Sequence, residues 1–236
     1  MIRAALIDLD GTLLDTAPDL SLAANATLAE LGLAVLPASV TREFIGQGIA
    51  QLVRRCLEAS LERAADAELV RRALEKFSGH YERCNGRSSV VFPGAREGLA
   101  AMRAAGLQLA CVTNKAARFT GPLLAATGLD EYFAAVVTSD AVGRRKPDPA
   151  IFLHACAMLG VGASEGCVIG DSDNDAQGAR AAGCRFLLVP YGYREGRDVR
   201  DIDADGIVPT LLDAAVLLVP GLAARWSAGT ASGEQS

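Results

Sequence analysis

RAALIDLDGTLLD, residues Arg3 to Asp15, is an apolar run that ends abruptly in acid. Ala4, Ala5, Leu6 and Ile7 lead into Asp8 and Asp10, and Gly11 and Thr12 follow at once. A continuous apolar segment of this length reads as a strand over 3–9, buried on both faces as in a parallel sheet. Residues two apart in an extended chain share a face, so both carboxylates point one way and Leu9 the other. Two carboxylates this close repel, and one holds its proton more tightly unless a cation sits between them. Mg2+ fits such a place, being hard, oxygen-seeking and commonly held by one or two carboxylates together with a substrate phosphate. The competing reading is a plain turn, for which Asp and Gly are also the usual residues. The rest of the chain discriminates between the two.

The 236 residues suffice for one large domain or for a core plus a smaller module. With 50% hydrophobic and 22% charged residues the composition is that of a globular protein and not of a disordered one. A net charge of −5 without a dense basic cluster argues against a nucleic-acid surface. It also means that an anionic substrate needs local help from a metal, a lysine or backbone amides. Cysteines at 56, 84, 111, 156, 167 and 184 form no C-x-x-C pair and sit in apolar or helical stretches, as buried reduced thiols do. Only His80 and His154 are available as imidazoles, far apart, so a histidine-rich zinc site or a histidine-based nucleophile is poorly supported. The first apolar run is broken by aspartates and does not read as a signal segment, and no stretch is long enough to span a bilayer. A cytoplasmic protein with no membrane partner is expected.

From about Thr16 the periodicity turns helical: Leu20, Ala23, Ala24, Thr27, Leu28 and Leu31 follow the i, i+3, i+4 rhythm, with Gly32 as a stop. A second helical pattern runs from Ser39 toward Phe44, and the two glycines of Phe44-Ile-Gly-Gln-Gly48 require a loop. Helices are expected over about 49–60 and 64–84. No strand signal occurs in 16–88, which reads as an all-helical module inserted after the first strand. From Val90 strand and helix alternate: helix 94–105, strand 107–112, helix to Thr127, strand 134–138, loop 139–148, helix 149–159, strand 166–169, helix to Gly183, strand 185–189. A last helix runs from Thr210 to 219, and the chain after Pro220 is expected to fray. The alternation predicts α/β architecture with a doubly wound parallel sheet.

Ligands of open α/β sheets bind beyond the carboxyl ends of the strands. Asp8, Asp10, Gly11 and Thr12 follow the first strand. Thr113 and Asn114 follow the second, Lys146 lies in the loop after the third, and Gly170, Asp171 and Asp175 follow the fourth. Taken singly each has a plain explanation: Thr113 and Asn114 as helix caps, Lys146 as a solvated loop charge, Asp173 or Asp175 as complements to a helix dipole. All of them falling at strand ends points to one acidic rim with a single lysine.

Asp8-Leu-Asp10-Gly-Thr12, Thr113 at a strand end, Lys146-Pro147 and Gly170-Asp171-x-x-x-Asp175 resemble, in order and spacing, the four motifs of the haloacid dehalogenase-like hydrolases. Asp15-Thr-Ala-Pro-Asp-Leu20, the Phe44–Gly48 loop, Phe92-Pro-Gly94, Val112-Thr-Asn-Lys115 and Tyr191-Gly-Tyr193 resemble that family's phosphoglycolate phosphatase branch. The resemblance covers residues 1 to about 219. It implies a Rossmann-like core, 1–15 and 89–220, carrying an all-helical cap, 16–88. It further implies a Mg2+-dependent phosphomonoester hydrolase working on a small molecule, with 2-phosphoglycolate expected. Sugar phosphates, nucleotides and pyrophosphate are alternatives within the class. Asp8 is then the nucleophile and Asp10 the acid and base. The metal would be held by the Asp8 carboxylate, the Asp10 backbone carbonyl and Asp171, with Asp175 in support. Thr113, Asn114 and Lys146 would bind the phosphoryl group, and Gly46 and Gly48 would offer amides to the substrate carboxylate. Arg54 and Arg55 lie close enough in sequence to contribute. A receiver-type signalling domain shares the acidic pair, the Thr and the Lys, but is about half this length and has no helical insertion. A monomer or homodimer is expected.

Overall fold

The computed structural model describes residues 1–194, 196–219 and 222; the tail from 221, expected to fray, otherwise lies outside the described residues. The chain opens with β1 (Ala4–Ile7) and β2 (Leu14–Asp15), then runs through α1 (Ala17–Glu30), α2 (Ala38–Arg42), α3 (Ile49–Leu61) and α4 (Ala67–Cys84). It returns through β3 (Val90–Val91) to α5 (Ala95–Ala104), β4 (Gln108–Thr113), α6 (Ala117–Thr127), β5 (Ala135–Thr138), α7 (Ser139–Val142) and α8 (Ala150–Met158). β6 (Gly166–Gly170), α9 (Asp173–Ala182), β7 (Arg185–Leu188), β8 (Gly206–Ile207) and α10 (Leu211–Leu218) complete it.

Six strands form one parallel sheet in the order β5-β4-β1-β6-β7-β8. All four residues of β1 are fully buried, and their alternation feeds two cores. Ala5 and Ile7 pack with Leu99, Met102, Leu123 and Leu211 on one face. Leu6 packs with Ile151, Phe152 and Ala179 on the other. This two-sided burial is why the strand reads as an unbroken apolar run rather than an alternating one.

The helices between β2 and β3 carry a third apolar cluster, with Leu20, Leu28, Val53, Leu57, Phe77 and Tyr81 joined by Phe119 of α6 and by Tyr193. Each large side chain buried there contributes about 1.5–3 kcal/mol. Their amphipathic rhythm made all four helices legible, and Asp66, whose side chain accepts from the Leu69 N–H at 2.8 Å, starts α4 three residues later than expected.

Four expectations change. β1 ends at Ile7 rather than 9, because Leu9 accepts the Leu13 and Leu14 N–H groups and closes a turn. The two crossings between sheet and helices are zipped by an antiparallel pair, Leu14↔Val91 and Asp15↔Val90, too short for alternation to register. The 139–148 loop contains α7. A sixth strand, β8, pairs with β7 over two residues only. All six cysteines are buried and free, as expected. Among the described residues no helix is long and apolar enough to cross a membrane.

Candidate active site

Past β1 the chain visits β4 and β5 on one side of the sheet and β6, β7 and β8 on the other. The strand order therefore reverses beside the end of β1, the place where open α/β sheets bind ligands. The Asp8 N–H donates to the Ile169 carbonyl at 3.0 Å, which keeps Asp8 against β6 one residue beyond the strand. Asp8, Asp10, Thr113, Asn114, Lys146 and Asp171 line one cavity. Ile45, Gly46, Gly48, Ile49 and Leu52 of the helical insertion close it from above. Leu9 lies in the core, so the two-residue alternation of the opening motif holds beyond the end of the strand.

Lys146 Nζ is buried between two carboxylates, 2.5 Å from Asp8 Oδ1 and 2.7 Å from Asp175 Oδ1. Burial opposes its charge, yet Asp175 and Asp8 hold its pKa above the ordinary lysine value. It is not a solvated loop charge. Asp175 serves two masters: Oδ1 takes Lys146 while Oδ2 accepts from the Ser172 N–H and hydroxyl at the start of α9. Asn114 is no helix cap either. Its amide accepts from the Lys146 N–H at 2.8 Å and donates to the Lys146 carbonyl at 3.2 Å, fastening the loop that carries the lysine. Thr113 Oγ1 accepts from the Lys115 N–H at 3.1 Å, leaving its own hydroxyl proton to give.

Asp8, Asp171 and Asp175 bring carboxylate oxygens within 4.8 Å of one another, all buried. Burial, with the Asp175 and Asp10 charges, pushes the Asp8 carboxyl up to about 7 despite Lys146. Burial and the carboxylates of Asp8 and Asp175 push Asp171 well above its ordinary value. Asp171 is gripped tightly: it accepts from the Thr12 hydroxyl at 3.1 Å and from the Tyr193 N–H at 2.5 Å. A Cβ at Gly192 would collide with its carboxylate. Four carboxylates, counting Asp10, face two buried ammonium groups, Lys146 and Lys115, so acids outnumber the bases beside them by two. A hard oxygen donor set with that deficit fits a divalent cation.

Lys115 was not singled out as a site residue, though it stands two residues past Thr113 as Asp10 stands two past Asp8. Its Nζ is buried, 2.8 Å from Asp10 Oδ1, with the Tyr81 ring centroid 5.0 Å away. Thr16 Oγ1 donates to the same Asp10 oxygen at 2.6 Å. Tyr193 stands in a stretch that carries the resemblance, but its bonds to Thr16, across most of the chain, and to Asp171 give it a place at the site that its own stretch does not assign. Arg54 is exposed, and neither it nor Arg55 lines the cavity.

The haloacid dehalogenase-like hydrolase family model matches residues 2–183. The chain is 51% identical over 217 residues to a phosphoglycolate phosphatase of Nitrosospira multiformis, covering 92% of this chain and 96% of that protein. It is 46% identical, with the same coverage of each, to a phosphoglycolate phosphatase of Thiobacillus denitrificans. A crystal structure described as a predicted phosphoglycolate phosphatase, from Haemophilus somnus, superposes with a TM-score of 0.86 at 28% identity, covering 92% of this chain and 97% of that one. The chain belongs to the haloacid dehalogenase-like hydrolases.

Proposed function

We propose that this chain is a Mg2+-dependent phosphatase that hydrolyses 2-phosphoglycolate to glycolate and phosphate through an aspartyl-phosphate on Asp8. One observation carries the reading: the Asp8 carboxylate lies 2.5 Å from a buried lysine, within a carboxylate cluster, at the base of a cavity that Asp10 also lines. The names of the relatives support the substrate. The helical insertion, residues 16–88, acts as a cap on the core formed by 1–15 and 89–220.

An Asp8 oxygen attacks phosphorus, and the bond from phosphorus to the glycolate oxygen breaks. Asp10 gives its proton to that leaving oxygen. It then takes a proton from the water that attacks the acyl-phosphate, which frees phosphate and restores Asp8; such proton transfer contributes typically 10²–10⁴-fold. Lys146 and the Thr113 hydroxyl hold the non-reacting phosphoryl oxygens, where transition-state charge spreads. Asn114 keeps the Lys146 loop in place, and Asp175 orients the ammonium. Asp8, the Asp10 carbonyl and Asp171 would hold Mg2+, which would supply Lewis-acid stabilisation of the phosphoryl oxygens. Gly46 and Gly48 bring backbone amides to the substrate, and the apolar cap residues exclude water.

The test is phosphate release from a panel of small phosphomonoesters with Mg2+. Turnover of 2-phosphoglycolate, abolished by Asp8→Asn, is expected. Turnover that survives Asp8→Asn overturns the nucleophile, and a clear preference for a sugar phosphate, a nucleotide or pyrophosphate overturns the substrate.

A further inference from the structure

The proposed mechanism leaves one buried cation without a task. Lys115 Nζ sits 2.8 Å from Asp10 Oδ1, its side chain 3% exposed, and the residue lines the same cavity as Asp8. Lys146, the other buried ammonium there, already binds two carboxylates. An ammonium carries three N–H donors, and Asp10 takes one of those of Lys115. The Tyr81 ring stacks beneath it, its centroid 5.0 Å away.

We infer that Lys115 is the specificity-determining residue that binds the carboxylate of the substrate, an inference resting on the 2-phosphoglycolate reading above. The geometry argues for it. Asp10 must reach the oxygen that bridges phosphorus to carbon. In 2-phosphoglycolate the carboxylate is joined to that oxygen through a single methylene. A leaving oxygen within hydrogen-bond reach of Asp10 therefore puts the carboxylate within a few ångströms of it, and Lys115 is the cation nearest to hand. The glycines of the cap loop offer only neutral amides to that group. Charge-assisted bonding by a buried ammonium distinguishes a carboxylate from an alcohol of similar size far better than amides do. Lys115 also belongs to the core while facing the insertion through Tyr81, so the charge that reads the substrate is fixed before any cap loop is in place.

The experiment compares 2-phosphoglycolate with 2-hydroxyethyl phosphate, which replaces the carboxylate by a hydroxymethyl group, on the Mg2+-loaded full chain. Lys115→Met deprives Asp10 of its partner and lowers kcat for both substrates. The KM for 2-phosphoglycolate should in addition rise about ten- to a hundredfold, the range for one charged hydrogen bond, with little change for the hydroxyethyl ester. Lys115→Arg keeps the buried charge, guards against a folding failure, and should return most of the KM difference. A fall in kcat with KM unchanged for both esters would assign Lys115 to holding Asp10 alone and overturn the inference. Wild-type protein that hydrolyses the hydroxyethyl ester but not 2-phosphoglycolate overturns the substrate reading itself, and the inference with it.

Discussion

The Tyr193 hydroxyl donates to Asp15 Oδ1 at 2.6 Å, tying the loop after β7 to the residue at which the chain leaves the core for the helical insertion. The Tyr193 hydroxyl oxygen in turn accepts from the Thr16 and Ala17 N–H groups at 2.8 and 2.9 Å. Arg42 of α2 binds both Asp15 oxygens at 2.9 Å and lies over the Tyr193 ring. Because the Tyr193 backbone N–H also binds Asp171, one residue connects the candidate metal cluster, through its main chain, to the root of the insertion, through its side chain. Tyr193→Phe strands the buried Thr16 N–H, leaves the Ala17 N–H only its 3.3 Å bond to Asp15 Oδ1, and should cost about 1–3 kcal/mol. For a chain of this size that is a melting temperature lower by several degrees. Burial pushes the Asp15 carboxyl up, but the Tyr193 hydroxyl and Arg42 outweigh it and hold it below its ordinary value. The stability it lends is present above the unfolded carboxyl value of about 4 and lost as pH falls through the folded one. The variant should therefore begin to unfold at a higher pH in an acid titration, read by circular dichroism.

Asp8 gives the opposite sign. Its carboxyl, raised to about 7 by burial and its acidic neighbours, binds a proton more tightly folded than unfolded. The metal-free protein should therefore lose stability as pH rises from about 4 to about 7, where the group ionises in place. A bound divalent cation takes the role of the proton. With Mg2+ at about a hundred times its dissociation constant, stabilisation of about 2.7 kcal/mol is expected. Thermal melts across that pH range, with chelator and with Mg2+, check both. Equal slopes in the two series would mean that the cluster holds no metal.

The rim of the sheet was legible because its residues are local to strand ends: Asp8, Thr113 and Asp171 each follow an apolar run long enough to read. The cap loop was legible through Gly46 and Gly48, whose positive φ angles few other residues adopt. What escaped reading shares a different character. β2, β3 and β8 are two residues long, so alternation has nothing to register. Lys115 and Tyr193 stand in stretches that carry the resemblance, but the contacts of Lys115 with Asp10 and of Tyr193 with Thr16 join residues 105 and 177 apart, and their own stretches do not name those partners. Asn114 lines the cavity as its place after β4 suggests, but the binding of its side chain to the Lys146 backbone is a contact made only when two loops meet.

Gly192 offers a test of the metal cluster that leaves its carboxylates untouched. Its backbone needs no positive φ, so Gly192→Ala brings no conformational strain, only a methyl group driven into the Asp171 carboxylate. Affinity for Mg2+ should fall about tenfold or more, the usual effect of displacing a ligand's support. Gly121→Ala, at an exposed helical position with open space around it, is the control and should be neutral or slightly stabilising. Calorimetric titration with Mg2+ measures both. Unchanged affinity in Gly192→Ala would remove Asp171 from the ligand set.

Asp19 separates folding from chemistry. It is fully buried at the start of α1 and accepts from the N–H groups of Gly86, Ser88 and Ser89 at 2.9 to 3.0 Å and from the Ser89 hydroxyl at 2.6 Å. Those residues are the return path from α4 to β3, so one carboxylate pins the outgoing chain to the incoming one. Asp19→Ala leaves four donors facing a cavity, and a loss of about 3 kcal/mol or more is expected in denaturant unfolding. It does not line the cavity that contains Asp8. At a temperature where the variant remains folded, kcat should consequently stay within about threefold of wild type, a barrier change below about 0.7 kcal/mol. A collapse of kcat without a loss of stability would show instead that this junction governs how the insertion meets the site.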